Sequence, residues 1–317
     1  MNIALARSRF YHLLSTLTLY GLTKDALPLV QAVDELAKYL PAEFDASDAG
    51  AEHQTLFGIN VYPFESIFLD ASGMLGGTVT EQVMADFASL GYKPSGSAAA
   101  VDHLGEELGL LAFLCGAEAD AREDGAGAIE RQIQRHLRTF MEAHLLRWLW
   151  PCALAVQHEA DPFYAAVLEL AVEFMSSHYA ELVADNPIQT DFSLPDPPDL
   201  LADEKTGLKD ICDYLATPIH SGLFLSRTAM VRFGREQKLP SGFGNRRQTL
   251  QNLFNSAAQY EGVNTLLSQF DTLCVEDESM LRKWAKAETA ASSFIAPWQS
   301  QLARTRRMIE TMKNAEV

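Results

Sequence analysis

One cluster of residues that is suited to contact another molecule runs from Tyr62 to Phe68. Pro63 can open a short helix here, and that helix would present Phe64 and Phe68 on one side. An aromatic pair at this spacing is usually part of a core. The spacing therefore predicts a short helix whose apolar face is most simply explained by core packing.

A second cluster begins at Asp102 and His103 and continues through Glu106 and Glu107. We expect Asp102 to cap a helix, the two glutamates to lie in its first turns, and His103 to remain near the loop. A capping role alone would explain these acids.

Catalytic and metal-binding patterns receive no support from the sequence. Neither Glu-x-x-His nor HExxH occurs, so we expect no dedicated metal site and no cofactor. The Gly-rich stretch 72–78 lacks the lysine of a phosphate loop and is predicted to be a turn. No GxSxG elbow is present, so nucleophilic catalysis has no support, and a helical enzyme with an unrecognised pocket is kept only as a third hypothesis. The four cysteines are predicted to be buried thiols in a reducing compartment, namely Cys115, Cys152, Cys212 and Cys274.

Apolar residues recur at intervals of three and four through most of the chain, which predicts an all-α fold. Asp161 and Pro162 mark one helix start, and Gly116 is the expected end of the helix that begins near Asp102. The predicted helices cover 3–20, 24–40, 47–57, 63–70, 79–90, 102–116, 126–156, 161–182, 208–215, 226–237, 246–259, 261–273 and 278–292.

Pro187, Pro195, Pro197 and Pro198 fall among Asp and Ser residues, a composition that predicts a linker. The expected organisation is a helical domain over 1–185, a linker over 186–207 and a helical C-terminal extension over 208–317.

The net charge of −17 argues against nucleic acid or an anionic membrane surface as the main partner. Residues 31–130 hold 18 acidic and 3 basic residues, or −15 of this total. Either a cationic partner or a solvated acidic surface would explain that bias. No unbroken apolar run is long enough for a signal peptide or a membrane span, so we expect a cytoplasmic protein without membrane insertion.

A basic stretch at 227–247 contains five Arg and one Lys against a single Glu. Residues 217–254, which include this stretch, could form a helix-turn-helix with Arg246 and Arg247 at the start of its second helix. The alternative function is therefore that of a helical DNA-binding regulator. The net charge opposes this alternative. The simpler interpretation places both arginines on a solvent-exposed face.

The two clusters resemble, in this order and at this separation, the motifs of the TorD/DmsD/NarJ family of chaperones for molybdoenzyme maturation. The first motif is Pro63 to Phe68, and the second is Asp102-His103 followed by Glu107-Leu108. Leu56-Phe57 precedes them as the family's Leu-Phe element. Stretches that look like the penultimate helices are His144-Leu145 with Trp148 and Pro151, and Asp161 to Tyr164. The resemblance extends over about residues 5–185.

The resemblance implies a TorD-like helical bundle without catalytic activity or a cofactor of its own. It implies binding to the twin-arginine signal peptide or apo form of a molybdenum or tungsten oxidoreductase subunit, which contains molybdopterin, before cofactor loading and export. The residues carried over to this binding site are Tyr62, Phe64, Glu65, Ser66, Phe68, Asp102, His103, Glu106 and Glu107.

Two departures from the family pattern affect these expectations. Many members have a glutamate shortly before Asp-His, whereas residues 97–101 contain none, so one acidic contact is either missing or replaced by Glu106. The chain also continues beyond about residue 207. This extension could be a second helical domain, a lid over the groove or a dimerisation element, and a homodimer is compatible with the sequence.

Overall fold

The computed structural model describes residues 2–95, 101–184, 191–202, 205–240 and 244–315, and most of these residues are helical, as the periodicity predicts. No strand occurs in these ranges, and no helix in them is long and apolar enough to cross a membrane. The α-helices, numbered α1 to α16 in chain order, are Ile3–Tyr20, Leu27–Gln31, Asp34–Ala37, Ala46–Thr55, Glu65–Leu69, Thr78–Ser89, Leu104–Glu123, Gly127–Ala143, Leu145–Gln157, Pro162–Val183, Leu208–Leu215, Pro218–Ser221, Arg227–Glu236, Arg246–Gln259, Val263–Ala287 and Ser292–Ala315.

Helices α1 and α7 form the closest helix pair of the N-terminal part. Gly105, on the face of α7 toward α1, allows this approach, since its backbone oxygen accepts a 2.6 Å hydrogen bond from the Ser15 hydroxyl. One turn after Gly109, the backbone oxygen of Ala112 accepts a 2.8 Å bond from Ser8. Gly116 does not end α7, as the sequence had suggested, because the helix continues to Glu123 with this glycine opposite Ser8.

The expected helix 126–156 is interrupted at His144, which separates α8 from α9. His144 has φ −124° and ψ −93°, outside the helical region. Its side chain is held by acidic groups of two other elements, as described below. Tertiary contacts therefore break a helix that local periodicity would have continued.

Helix α9 is the centre of the molecule, and its apolar side chains are buried on all sides. Trp148 and Trp150 have no exposed surface. Trp150 contacts Trp284 of α15 at a ring separation of 5.9 Å. The indole nitrogen of Trp298 in α16 donates a 2.7 Å hydrogen bond to the Arg147 backbone oxygen. The helices after residue 207 therefore share one hydrophobic core with those before residue 185.

The two longest C-terminal elements differ from expectation. A single helix, α15, replaces the predicted pair 261–273 and 278–292, and α16 was not predicted. Pro297 lies inside α16, and a proline disfavours a helix in local analysis. Buried Phe294, Trp298 and Leu302 hold α16 against the core.

The described part of the predicted linker, 191–202 and 205–207, contains no helix, and the rest of 186–207 lies outside the described residues. It follows the surface of α16. Gln301 donates a 2.9 Å hydrogen bond to the Pro195 oxygen, and Arg304 pairs with Asp196. The division into 1–185, 186–207 and 208–317 remains a prediction about chain organisation.

The α1–α7 contact leads to a stability prediction. A Cβ on Gly105 would lie 2.4 Å from Leu19 Cγ and 3.0 Å from the Ser15 backbone oxygen. Gly105→Ala should therefore lower the free energy of unfolding by about 1–3 kcal/mol through overpacking. Gly50→Ala is the control, because nothing lies within 4 Å of its Cβ position in α4. That control should gain about 0.5–1 kcal/mol from helix propensity. Urea unfolding measures both, and equal effects would contradict close packing at Gly105.

Candidate functional site

The two sequence clusters meet in the structure. An isolated antiparallel bridge joins Phe64 to His103. The Glu65 backbone N–H donates to the Asp102 oxygen at 2.9 Å, and the Leu104 N–H donates to the Pro63 oxygen at 2.8 Å. The rings of Phe64 and His103 are in edge-to-face contact at 4.9 Å. Segments about 40 residues apart are thus paired through backbone hydrogen bonds.

Most of the predicted site residues are buried. Asp102, Glu106, Glu107, Ser66 and Phe68 have no exposed surface. Glu65 is 3% exposed and His103 is 8% exposed. Tyr62 and Phe64 are partly exposed. In this conformation only the two aromatic residues present substantial surface to a ligand, and the acids lie beneath them.

The cap of α7 is His103, which corrects the expectation that Asp102 caps this helix. The imidazole Nδ1 accepts a 3.0 Å hydrogen bond from the Gly105 N–H. Burial, with a smaller contribution from His53, lowers the pKa of His103 to about 3. The ring is therefore neutral near pH 7. Asp102 instead uses Oδ2 to accept a 3.0 Å bond from the Ser66 N–H, which fixes the start of α5.

His144 joins the first cluster to α6. Its Nδ1 is 2.8 Å from a Glu65 carboxylate oxygen, and its Nε2 is 2.9 Å from Asp86 Oδ2. Burial alone would lower the pKa of His144, but hydrogen bonds and charges from Glu65 and Asp86 outweigh it and raise the pKa. An imidazolium that donates to both carboxylates satisfies this geometry. The Asp86 side chain is 46% exposed, so this buried chain of contacts ends at the surface.

Glu107 lies next to Glu65 with no cation of its own. Burial, followed by the charges of Glu65 and Asp102, raises the pKa of Glu107 well above its ordinary value. The Trp148 indole donates a 3.3 Å bond to Glu107 Oε2. Oε1 of Glu107 receives no hydrogen bond. A protonated Glu107 can instead donate a hydrogen bond to Glu65, and this interaction also raises the pKa of Glu107. The geometry thus favours the neutral acid at Glu107.

Glu106 has a local structural role. Its carboxylate accepts hydrogen bonds from the Ser95 N–H at 3.0 Å and the Ser95 hydroxyl at 2.8 Å, with the Tyr92 hydroxyl at 3.4 Å. It therefore anchors the segment that leads toward the second cluster. Residues 97–100, where a family glutamate was sought, lie outside the described residues.

The Gly-rich stretch is a turn between α5 and α6, as the sequence predicts. Ser66 fixes it to the first cluster by accepting a 3.3 Å hydrogen bond from the Gly76 N–H. Three apolar side chains stand out from this turn and from α6: Met74 is 64% exposed, Leu75 53% and Met84 49%. The exposed part of this turn and of α6, here called the α6 surface, also carries Asp86, which lies two positions after Met84 and therefore on a different side of the helix.

The basic region reaches the same site from the other side. Phe224 stacks on Phe68 at 5.2 Å, and the Arg246 guanidinium lies 4.0 Å from the centre of the Phe224 ring. Arg246 also donates to the backbone oxygens of Leu225 and Ala216. Arg246 is therefore partly buried and held by the protein, where the sequence suggested a solvent-exposed side chain. Arg247 is partly exposed and donates to the Ser72 oxygen in the turn.

Sequence analysis missed Asp86 entirely, and His144 and Trp148 entered it only as parts of the family resemblance. No local pattern marks Asp86, because its role depends on a histidine 58 positions away. All four cysteines are free and buried, in agreement with the prediction.

Part of the chain matches a known protein family. The model of the family described as nitrate reductase delta subunit matches residues 23–153. This range contains both clusters, His144 and most of α9. No curated protein and no solved structure matches the chain significantly.

The state of Glu107 can be tested through the pH dependence of stability. Because the pKa of Glu107 in the folded protein lies above its ordinary value of 4.5, the folded state binds more protons and wild-type stability falls as pH rises above that value. Glu107→Gln removes this loss and keeps a donor toward Glu65. The variant should gain on wild type between about pH 5 and pH 8, by at most about 1.4 kcal/mol per pH unit.

Urea unfolding over this pH range gives the comparison, with exposed Glu35→Gln as the control that should show no such trend. A constant difference between Glu107→Gln and wild type at all pH values would mean that Glu107 is ionised in the folded protein.

Proposed function

We propose that this protein assists the maturation of a molybdenum or tungsten oxidoreductase subunit, because residues 23–153 match the nitrate reductase delta subunit family and both sequence clusters resemble the TorD/DmsD/NarJ chaperone motifs. The family is one of chaperones and not of catalysts. The proposed client is the apo catalytic subunit with its twin-arginine signal peptide, bound in the cytoplasm before its molybdopterin cofactor is loaded. The observation that supports the proposal is the family match, because the matched range contains both motifs and these are joined to each other by backbone hydrogen bonds.

Charge supports a client with a basic, apolar leader. The excess of −15 over residues 31–130 would attract cationic segments and raise their rate of association. On the α6 surface, Asp86 offers a carboxylate to a guanidinium. Met74, Leu75 and Met84 offer flexible apolar contacts, and methionine side chains adapt to varied peptides.

The predicted site residues would divide into two roles. Tyr62 and Phe64 are placed to touch the client, because they retain exposed surface. The buried members would position them: Asp102 fixes the start of α5, His103 caps α7, and Phe68 fills the space between Trp148 and Phe224. Glu65, Ser66, Glu106 and Glu107 would belong to this positioning group.

Binding at Asp86 would be coupled to the buried acids. A client guanidinium that pairs with Asp86 competes with His144 for the same carboxylate. His144 would then depend on Glu65 alone, which links occupancy of the surface to the charge state of the interior. The C-terminal extension would support the site from beneath through Phe224 and Arg246. The contacts that already hold Arg246 weaken the DNA-binding alternative.

The proposal is tested by affinity capture of the tagged full-length chain from the native host's cytoplasm, with mass spectrometry as the readout. Recovery of a molybdopterin-type catalytic subunit is the expected result. Recovery of DNA-associated proteins, with salt-sensitive gel shifts by the purified chain, would overturn it in favour of the DNA-binding alternative. Recovery of no oxidoreductase subunit from cells that produce one would also contradict the proposal.

A variant pair tests the α6 surface. Asp86→Asn should weaken binding of a synthetic leader peptide from the captured subunit about tenfold, equivalent to ~1.4 kcal/mol. Asp34→Asn is the control, since it removes an exposed carboxylate of the same acidic segment at α3. Fluorescence anisotropy measures both. Equal affinities for the two variants would exclude Asp86 from the contact.

A further inference from the structure

A second group of chemically active side chains lies at the opposite end of α7. Cys115 and Glu118 are three residues apart on one face of that helix, and His178 reaches the same point from α10. One ligand atom from each, the thiol sulfur, a carboxylate oxygen and a ring nitrogen, lies within 4.8 Å of the other two. Glu118 is 11 positions after Glu107, or about 16 Å along the helix axis, so this group is separate from the candidate site.

The cluster contains polar atoms that the protein leaves unpaired. Glu118 and His178 are each 1% exposed. Oε2 of Glu118 and Nε2 of His178 are buried without a hydrogen-bond partner. A buried polar atom without a partner costs about 1–3 kcal/mol, and a ligand bound to this group of residues would satisfy both atoms.

The remaining atoms of these side chains are already held by neighbours. His178 Nδ1 is 3.0 Å from the Tyr11 hydroxyl of α1. Glu118 Oε1 accepts 2.8 Å hydrogen bonds from Arg122 and from Gln134 of α8. Outer contacts of this kind orient the ring and the carboxylate of a metal ligand. One polar atom of each side chain, Oε2 of Glu118 and Nε2 of His178, thereby remains available to a ligand.

We propose that Cys115, Glu118 and His178 bind a Zn²⁺ ion. Thiolate, imidazole and carboxylate are the three ligand types that zinc takes in proteins. A thiolate and a carboxylate together would neutralise the two charges of the ion, which suits a buried position. Ligand atoms around tetrahedral zinc lie roughly 3.5 Å apart, so the side chains would close by about 1 Å on binding.

This site was not expected from the sequence. The helical metal pattern sought there was Glu-x-x-His, whereas this chain combines Cys-x-x-Glu on α7 with a histidine 60 positions later. Within the described ranges it is the one cluster of three such residues. An ion here would join α7 to α10 and, through Tyr11 and Gln134, would also brace α1 and α8. Its expected effect is on stability.

Metal content of the refolded full-length protein tests the site. Wild type is unfolded with chelator and reductant, desalted, refolded with Zn²⁺ and gel-filtered before elemental analysis. We expect about one zinc ion per chain and a higher melting temperature than for protein refolded with chelator. Zinc-free wild type after this procedure would overturn the proposal.

Variants and a spectroscopic probe locate the ion. Cys115→Ala and His178→Gln should lose the bound zinc, whereas Cys152→Ala, which removes an equally buried thiol outside the cluster, should retain it. Equal zinc in all four proteins would overturn the proposal. If the ligand variants do not fold, Co²⁺ refolding of wild type still decides: a thiolate-to-cobalt charge-transfer band is expected, and its absence contradicts a Cys115 ligand.

Discussion

The imidazole of His144, buried between Glu65 and Asp86, is the interaction on which the arrangement of the candidate site depends. It interrupts the helical path between α8 and α9, and it ties the start of α5 to α6. Burial lowers the pKa of His144, but the effect of its two acidic partners is larger, so the pKa is raised overall. Because the second partner is half exposed, the interior of the site is in electrostatic contact with the surface.

Burial of the acids beneath the surface is unfavourable in free energy. This penalty restricts how the acids can be protonated, paired and hydrogen-bonded. The charge of Asp102 contributes to the raised pKa of both Glu65 and Glu107, and the charge of Glu65 contributes to that of Glu107. Removal of three carboxyl groups from water is tolerated only with protonation, pairing or hydrogen bonds. His144 provides the pairing, the Ser66 N–H and the Trp148 indole provide hydrogen bonds, and Glu107 takes the proton. Buried ionic groups are weak evidence for stability, so their more reasonable role is to fix the backbone that carries Tyr62 and Phe64.

Local sequence signals were sufficient where helix chemistry is local. Asp161 with Pro162 predicted the start of α10, and the periodicity predicted α1, α11 and α14 to within a residue. The sequence failed where distant residues decide. Contacts to His144 break a continuous helical pattern, and apolar packing of Phe294 and Trp298 overrides Pro297 in α16. Phe224 and two backbone oxygens hold the partly buried Arg246 against the protein.

The candidate site was likewise predicted in part. The resemblance identified the two clusters, and the structure pairs them through Phe64 and His103. It did not identify which side chains remain accessible, because burial depends on α9 and on helices after residue 207. Whether the clusters bind a client is still a prediction. Asp86 could only be found in three dimensions, since a carboxylate on an amphipathic helix looks like any solvated acid.

Hydrogen–deuterium exchange of the full chain, alone and with the client's leader peptide bound, tests most directly where the client is received. The proposed function predicts slower exchange in residues 70–90, which include the turn and α6, with little change in the helices after residue 207. Protection confined to residues 227–247 would contradict this placement and would assign binding to the basic region instead.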